Sequence, residues 1–307
     1  MKFLSFTDKR QQGQGAQLGI ALDNGTIFNV TAAVHAHPSS PAANLPLTLE
    51  ALIDADDTPL QALAELARDP ANAVHVVEQE QIRFLPPLQP RRNVFCVGRN
   101  YREHIIEGNI AKGIAPNTFP EAIEFFTKPS TAVVGHGWDV SRHAALTNSL
   151  DYEVELAIVI GKRGVNISEA DALDYVFGYT VVNDVTARDL QRRHGQWFKG
   201  KGLDTTCPMG PVIVHKSAFG DPNAKRLELE VNGELRQSAN TDEMIFNVQA
   251  VIAQLSAGLT LLPGDIISTG TPKGVGYAAI PPRCLNVGDV VTARVDGIGE
   301  LTNSIVE

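Results

Sequence analysis

Asp151-Tyr-Glu-Val-Glu-Leu-Ala-Ile-Val-Ile-Gly161 carries two glutamates one residue apart, Glu153 and Glu155, at the head of an apolar run. Side chains on a strand alternate faces, so an extended segment aims both carboxylates the same way while Val154, Leu156, Ile158 and Ile160 fill the opposite face. A second apolar run, Phe177-Gly-Tyr-Thr-Val-Val-Asn183, ends in Asp184. Two like charges on one face repel unless solvent or a cation lies between them. A third carboxylate from a neighbouring strand end completes an all-oxygen set suited to Mg²⁺ or Mn²⁺. The tripeptide alone does not establish such a site, because short charged alternations are common on solvent-washed strands. Glu228 and Glu230, in Leu227-Glu-Leu-Glu-Val-Asn-Gly-Glu-Leu-Arg236, show the same pattern on what reads as an exposed hairpin with Asn232-Gly233 at its tip. The neighbours of Glu153 and Glu155 therefore decide the question.

Upstream, residues 1–88 read as a small mixed module. Lys2 to Thr7 and Gln17 to Leu22 alternate as strands, and Asp23-Asn24-Gly25 joins the second to a strand over Thr26 to Val30. Asn-Gly between two such runs predicts a type I′ hairpin turn, in which both central residues need positive φ. Ala32 to Pro46, rich in Ala, Pro and Ser, reads as a loop. Leu49, Leu52, Ile53, Leu60, Leu63 and Leu66 recur at near-helical spacing between Thr48 and Arg68, with Asp54 to Pro59 splitting the pattern into two helices. Pro86-Pro87 and Pro90 mark a boundary before the strand Asn93 to Val97, so 89–307 forms the larger unit. That unit is strand-rich, with one long helix expected over Thr241 to Ser256. Repeated βαβ units are absent from the pattern, which argues against a doubly wound sheet and for a mostly β, α+β protein.

Composition narrows the partners. A chain of 307 residues with 43% hydrophobic and 20% charged residues can bury one large core or two smaller ones. Its net charge of −9, with only the short basic pairs Arg91-Arg92 and Arg192-Arg193, argues against a nucleic-acid partner. Met1-Lys-Phe-Leu-Ser-Phe-Thr lacks the sustained apolar core of a secretory signal, and no apolar stretch has the length to span a bilayer. A cytoplasmic location without a membrane partner is expected. Cys96, Cys207 and Cys284 are odd in number and widely spaced, which fits buried reduced thiols better than disulfides or a zinc site. His136, His143, His194 and His215 form no metal-ligand spacing, and most of them read as surface or loop residues.

Five motifs in order give a more specific reading: Val97-Gly-Arg-Asn-Tyr-Arg-Glu-His104, the Glu-x-Glu strand, Asn183-Asp-Val-Thr-Ala-Arg-Asp-Leu-Gln191, Lys201-Gly-Leu-Asp-Thr-Thr-Cys-Pro-Met-Gly-Pro211, and Leu262-Pro-Gly-Asp-Ile-Ile-Ser-Thr-Gly-Thr-Pro-Lys-Gly-Val-Gly276. Their sequence resembles the fumarylacetoacetate hydrolase family, in its acylpyruvase or 2-hydroxyhepta-2,4-diene-1,7-dioate isomerase branch, from about residue 90 to the C-terminus. The resemblance implies a mixed β-roll or distorted barrel, a divalent cation held by Glu153, Glu155 and Asp184, and a homodimer. It implies a C–C bond hydrolase of a 2,4-dioxo acid, of acylpyruvate or fumarylpyruvate type, working through a metal-stabilised pyruvate enolate. Decarboxylation of an oxaloacetate-like acid or isomerisation of an aromatic ring-cleavage dioate uses the same enolate chemistry. A metal-binding scaffold without turnover is the reading from another class.

Individual residues take their places accordingly. His104 and Glu107 are three apart, on one face of a helical turn, where a carboxylate can orient an imidazole; a surface salt pair has the same spacing. In the resembled enzymes such a pair sits on a lid and activates water. Glu103 adjoins His104 and faces away from it on a helix. Lys201 matches the family lysine that stabilises negative charge, with Lys199 as the bland rival. Arg188 and Gln191 are expected to share a helical side with Asp184 and bind substrate oxygens. Gly270-Thr-Pro-Lys-Gly-Val-Gly276 lacks Walker or dinucleotide spacing. The resemblance assigns Thr271 and its neighbouring N–H groups to a substrate carboxylate; a tight connection between strands is the plain alternative. Gly108 to Glu124 inserts Gly113, Pro116 and Pro120, which predicts a lid longer than usual, and Arg99, Trp197 and Tyr277 are candidates to line the far end of the site.

Overall fold

The computed structural model describes residues 1–307 apart from Gln12, Gln14, Ser40 and Asp56. Its centre is the strand Val154–Ile160, every residue of which is buried. It pairs antiparallel with Val176–Asn183 on one side and with Ile266–Ser268 on the other. Burial on both faces explains the apolar run, and the predicted alternation sorts it into two cores. Val154, Leu156, Ile158 and Ile160 enter one, Ala157 and Val159 the other.

The first core lies between this large sheet and a second sheet of five strands, whose order is Glu234–Asn240, Arg226–Val231, Val290–Val295, Gly299–Val306 and Val140–Ser141. Leu227, Leu229, Val291, Ala293 and Leu301 reach inward from it, while Glu228 and Glu230 stay partly exposed and pair with Arg226 and Arg294. The second core is shared with the N-terminal residues Phe3, Leu18, Phe28, Leu49, Leu52 and Leu63. Strand Lys2–Asp8 hydrogen-bonds directly to Cys207–His215, with Lys2 opposite Val214 and Phe3 opposite Ile213, so one sheet runs across residues 88 and 89.

The protein is mostly β, in the α+β class, as expected. The long sheet begins at Val76–Val77 and ends at Glu124–Lys128 without those edges pairing, so among the described residues it forms no closed barrel. No helix among them is long and apolar enough to cross a membrane. Cys96 and Cys207 are buried free thiols, and Cys284 is a half-exposed one. His215 departs from its surface reading. It is 2% exposed and its Nε2 lies 3.0 Å from Asp57 Oδ1.

Three local expectations change. The Asn24-Gly25 hairpin forms, but only Gly25 has positive φ (85°), and its N–H donates to Leu22 O at 3.1 Å. The turn is therefore a type I turn closed by a left-handed glycine. At Asn232-Gly233 both residues have positive φ, 54° and 78°, as type I′ requires. Residues 32–46 are not all loop. Val30–Ala36 is a helix because Asn29 caps it through Ala32 N–H and because Val30, Ala33 and Val34 are buried on one side; Ser40 lies outside the described residues. The helix expected from Thr241 begins only at Val248, after the cap Asn247. Ile245 and Phe246 donate backbone N–H groups to Asn100 at 2.8 and 2.9 Å, which holds that stretch out of helical geometry.

Candidate active site and metal centre

Sheet register builds the carboxylate cluster. Val154 lies opposite Asn183 at the end of the paired stretch. Glu153, one residue before the strand, accepts from Asp184 N–H at 2.8 Å and donates its own N–H to Asn183 Oδ1 at 3.0 Å. Glu153 and Asp184 are thereby cross-strand neighbours, and Glu155 follows two positions along on the same side. One oxygen from each of Glu153, Glu155 and Asp184 lies within 4.8 Å of the others. The three are 3%, 1% and 0% exposed, which rules out a solvent-washed strand.

Cations neutralise most of this charge. Arg188 Nη2 donates to Glu153 at 2.6 Å, and Lys201 Nζ bridges Glu153 at 2.5 Å and Asp184 at 2.6 Å. Burial works against ionisation of Glu153, but Arg188 and Lys201 outweigh it and hold its carboxyl well below the usual range. Burial likewise opposes the Lys201 ammonium, and Asp184 and Glu153 overcome that and raise its pKa. Lys199 is exposed, so Lys201 is the lysine of the site.

Glu155 differs from its neighbours. Its hydrogen bonds come from Ser268 Oγ at 2.5 Å and Gly270 N–H at 2.9 Å, both to Oε2, and no cationic side chain touches it among the described residues. Burial, with Asp184 and Glu153 adding repulsion, pushes its pKa up to about 8. A buried carboxylate without a counter-charge is costly. The donor set thus fits a hard divalent cation: three converging carboxylates, one of them lacking compensation. Such an ion must share Glu153 and Asp184 with Lys201.

His104 lies on the helix Arg102–Ala111 and lines the same cavity, of about 210 Å³, as Glu153, Glu155, Lys201 and Thr271. Its Nδ1 is 3.0 Å from Glu107 Oε1. Glu107 also accepts from Gly274 N–H at 3.0 Å, so the carboxylate is an acceptor on both sides and the imidazole presents Nε2 as its free nitrogen. Glu103 is exposed, as expected. The insertion after this helix is tied down by buried Asn109, whose Nδ2 donates to Pro116 O and Thr118 O at 3.0 and 2.9 Å. Arg99, Trp197 and Tyr277 all line the cavity. Gly98 is required beside Trp197, because a Cβ there would stand 2.2 Å from the indole.

One expectation is corrected. Asp184 shares no helical face with Arg188 and Gln191, since the short strand Thr186–Ala187 intervenes before the helix Arg188–Arg193. Arg188 and Gln191 nevertheless line the cavity with their side chains 3.4 Å apart. The glycine-rich loop gives three N–H groups to protein carboxylates: Gly270 to Glu155, Gly274 to Glu107 and Gly276 to Asp151. Its glycines serve close backbone contact; at Gly274, with φ 102°, a Cβ would stand 2.1 Å from Arg236 O. Thr271 Oγ1 accepts from buried Gln237 at 2.9 Å.

Sequence reasoning missed Asp151 and Lys128. Asp151 is fully buried, accepts from Arg188 Nε at 3.0 Å and from Gly276 and Tyr277 N–H at 2.7 and 3.1 Å, and so fixes Arg188 beneath the Tyr277 ring, 4.5 Å away. Lys128 is also fully buried and donates to Asp184 Oδ1 at 2.7 Å and Val185 O at 3.0 Å. A lone lysine ending the strand Glu124–Lys128 just before Pro129 was the available signal.

Residues 93–306 match the family described as fumarylacetoacetate (FAA) hydrolase, C-terminal. The chain belongs to the fumarylacetoacetate hydrolase family. It is 49% identical over 246 residues to oxaloacetate tautomerase YisK of Bacillus subtilis (strain 168), covering 79% of this chain and 80% of that protein. Among solved structures it is similar to the fumarylacetoacetate hydrolase of psychrophilic Exiguobacterium antarcticum, with 39% identity, TM-score 0.81 and coverage of 100% and 99% of the two chains. It is also similar to 2-hydroxyhepta-2,4-diene-1,7-dioate isomerase of Mycobacterium marinum, with 32% identity, TM-score 0.72 and coverage of 100% and 98%. The family thus includes both hydrolases and isomerases, and family membership leaves the reaction open.

Proposed function

We propose that this protein is a metal-dependent keto–enol tautomerase acting on a small 2-oxo dicarboxylic acid such as oxaloacetate. The observation that carries the reading is that Glu153 and Glu155, whose carboxylates converge with that of Asp184, line one small cavity together with an imidazole, His104, paired to Glu107. A cavity of about 210 Å³ is below the usual range for larger ligands and suits a four-carbon acid better than a seven-carbon dioate. The similarity to oxaloacetate tautomerase YisK supports the same choice.

Glu153, Glu155 and Asp184 would hold Mg²⁺ or Mn²⁺, which when bound would supply Lewis-acid stabilisation of developing negative charge. The protein's own groups do the rest. Arg188, Gln191 and Thr271, which line the cavity, donate to the substrate's carboxylate. His104 Nε2 takes a proton from C3 as the C3–H bond breaks and the electron pair moves into the new C2–C3 double bond. The ammonium of Lys201 faces the oxygen that gains charge. The proton returns from Nε2 to that oxygen, so keto and enol interconvert without net change in atoms. Glu107 keeps the imidazole in the tautomer that accepts at Nε2.

Hydrolysis of a C–C bond in an acylpyruvate is the second reading, favoured by the same His104–Glu107 pair, which can equally take a proton from water, and by the similarity to a fumarylacetoacetate hydrolase. The two are separated by following freshly dissolved enol-oxaloacetate and an acylpyruvate with Mg²⁺. Tautomerisation predicts faster approach to the keto–enol equilibrium without pyruvate release. Cleavage of the acylpyruvate with no effect on oxaloacetate supports hydrolysis, and inertness towards both in the presence of bound metal supports a non-catalytic scaffold.

A further inference from the structure

The outer part of the cavity is lined by cations that the proposed chemistry does not use. Lys112 stands at the C-terminal end of the helix that carries His104, and Arg192 on the helix that carries Arg188 and Gln191. Neither makes an ion pair with a carboxylate among the described residues, whereas their neighbour Arg99 is already engaged by Glu124 at 3.2 Å and Thr118 O at 2.9 Å. Both residues are exposed overall, yet crowding by protein atoms and then the charges of Arg99, Arg188 and Arg192 disfavour the Lys112 ammonium, with only Glu124 opposing. Two unpaired positive groups on separate elements thus face one small cavity and repel each other.

We propose that Lys112 and Arg192 form an anion subsite for the distal carboxylate of the substrate. This deepens the tautomerase reading and rests on it for the identity of the proximal half of the substrate. An inner carboxylate and 2-oxo group engage the triad end, while the second carboxylate lies between the two outer cations and turns their repulsion into attraction. The subsite selects 2-oxo dicarboxylates over 2-oxo monocarboxylates.

Binding tests this without requiring turnover. The probes are 2-oxo-3,3-dimethylsuccinate and 2-oxo-3,3-dimethylbutyrate, which differ by a carboxylate in place of a methyl group and have no C3 proton to lose. Calorimetry with Mg²⁺ is expected to show the dicarboxylate binding at least about ten-fold tighter to the wild-type protein. Lys112→Met and Arg192→Met should each reduce that preference about five-fold, and the exposed Lys162→Met should leave it unchanged. Equal affinities for the two probes, no binding of either, or a preference untouched by both variants overturns the subsite. Turnover is read separately: exchange of the C3 protons of oxaloacetate and 2-oxobutyrate should show a raised KM for oxaloacetate alone in both variants. A wild-type protein that discriminates between the probes but exchanges neither substrate would retain the subsite and refute the tautomerase.

Discussion

Glu155→Gln should stabilise the metal-free protein while abolishing its response to metal. The substitution keeps the shape and the acceptor for Ser268 and Gly270, and it removes the one buried carboxylate among the described residues that no cation contacts. The folded-state pKa is about 8 against an ordinary value of 4.5. Below pH 4.5 the group is protonated whether the chain is folded or not. As pH rises from there the unfolded chain releases its proton and the folded chain holds it, so stability falls until about pH 8 and then levels off. At pH 7 the penalty is on the order of 3 kcal/mol, which glutamine escapes. In EDTA the variant should therefore melt roughly 5 °C above wild type at pH 8 to 9, with the gap closing near pH 4.5. With Mg²⁺ the order should reverse, because only wild type gains from binding. A melting difference that is absent at pH 9, or the same at pH 5 and pH 9, would show that Glu155 is not an uncompensated charge.

Three further outcomes follow from the geometry. His104→Ala should lower kcat by on the order of 10²–10⁴ while leaving Mn²⁺ affinity nearly unchanged, since His104 acts as a base beside the triad rather than within it; near-wild-type rates in both His104→Ala and Glu107→Ala return the pair to an ordinary salt bridge. Asp151→Asn removes the charge that orients Arg188 Nε and should raise KM about ten-fold or more with a smaller change in kcat; steady-state kinetics showing an unchanged KM would count against that positioning. The expected homodimer predicts light scattering at the mass of two chains at micromolar concentration, and a monomer would remove it.

What the sequence made legible was mostly local. The two-residue period placed Glu153 and Glu155 on one side, and the three-residue spacing placed His104 against Glu107, because both relations are set by backbone geometry within one element. The Asn232-Gly233 turn was legible for the same reason. Contacts that close over long separations were not. Lys128 reaches Asp184 across 56 residues, Gly274 reaches Glu107 across 167, and Asp151 reaches Gly276 across 125. Nothing in the spacing of a lysine or an aspartate reports such partners. The late start of the helix at Val248 has the same origin, since Asn100 takes hydrogen bonds that local propensity cannot anticipate. Asp184 was found correctly as a strand-end carboxylate, but the helical side imagined for it with Arg188 and Gln191 was replaced by a short strand whose pairing with Leu150–Asp151 is again non-local.

The central claim is that Glu153, Glu155 and Asp184 together hold a divalent cation, and direct titration of the metal-stripped protein with Mn²⁺, read by electron paramagnetic resonance of the free ion, tests it. The account predicts one tightly held ion per chain in wild type and its loss in Asp184→Ala and Glu155→Gln. An Asp184→Ala protein that remains folded and binds Mn²⁺ as tightly as wild type would contradict it.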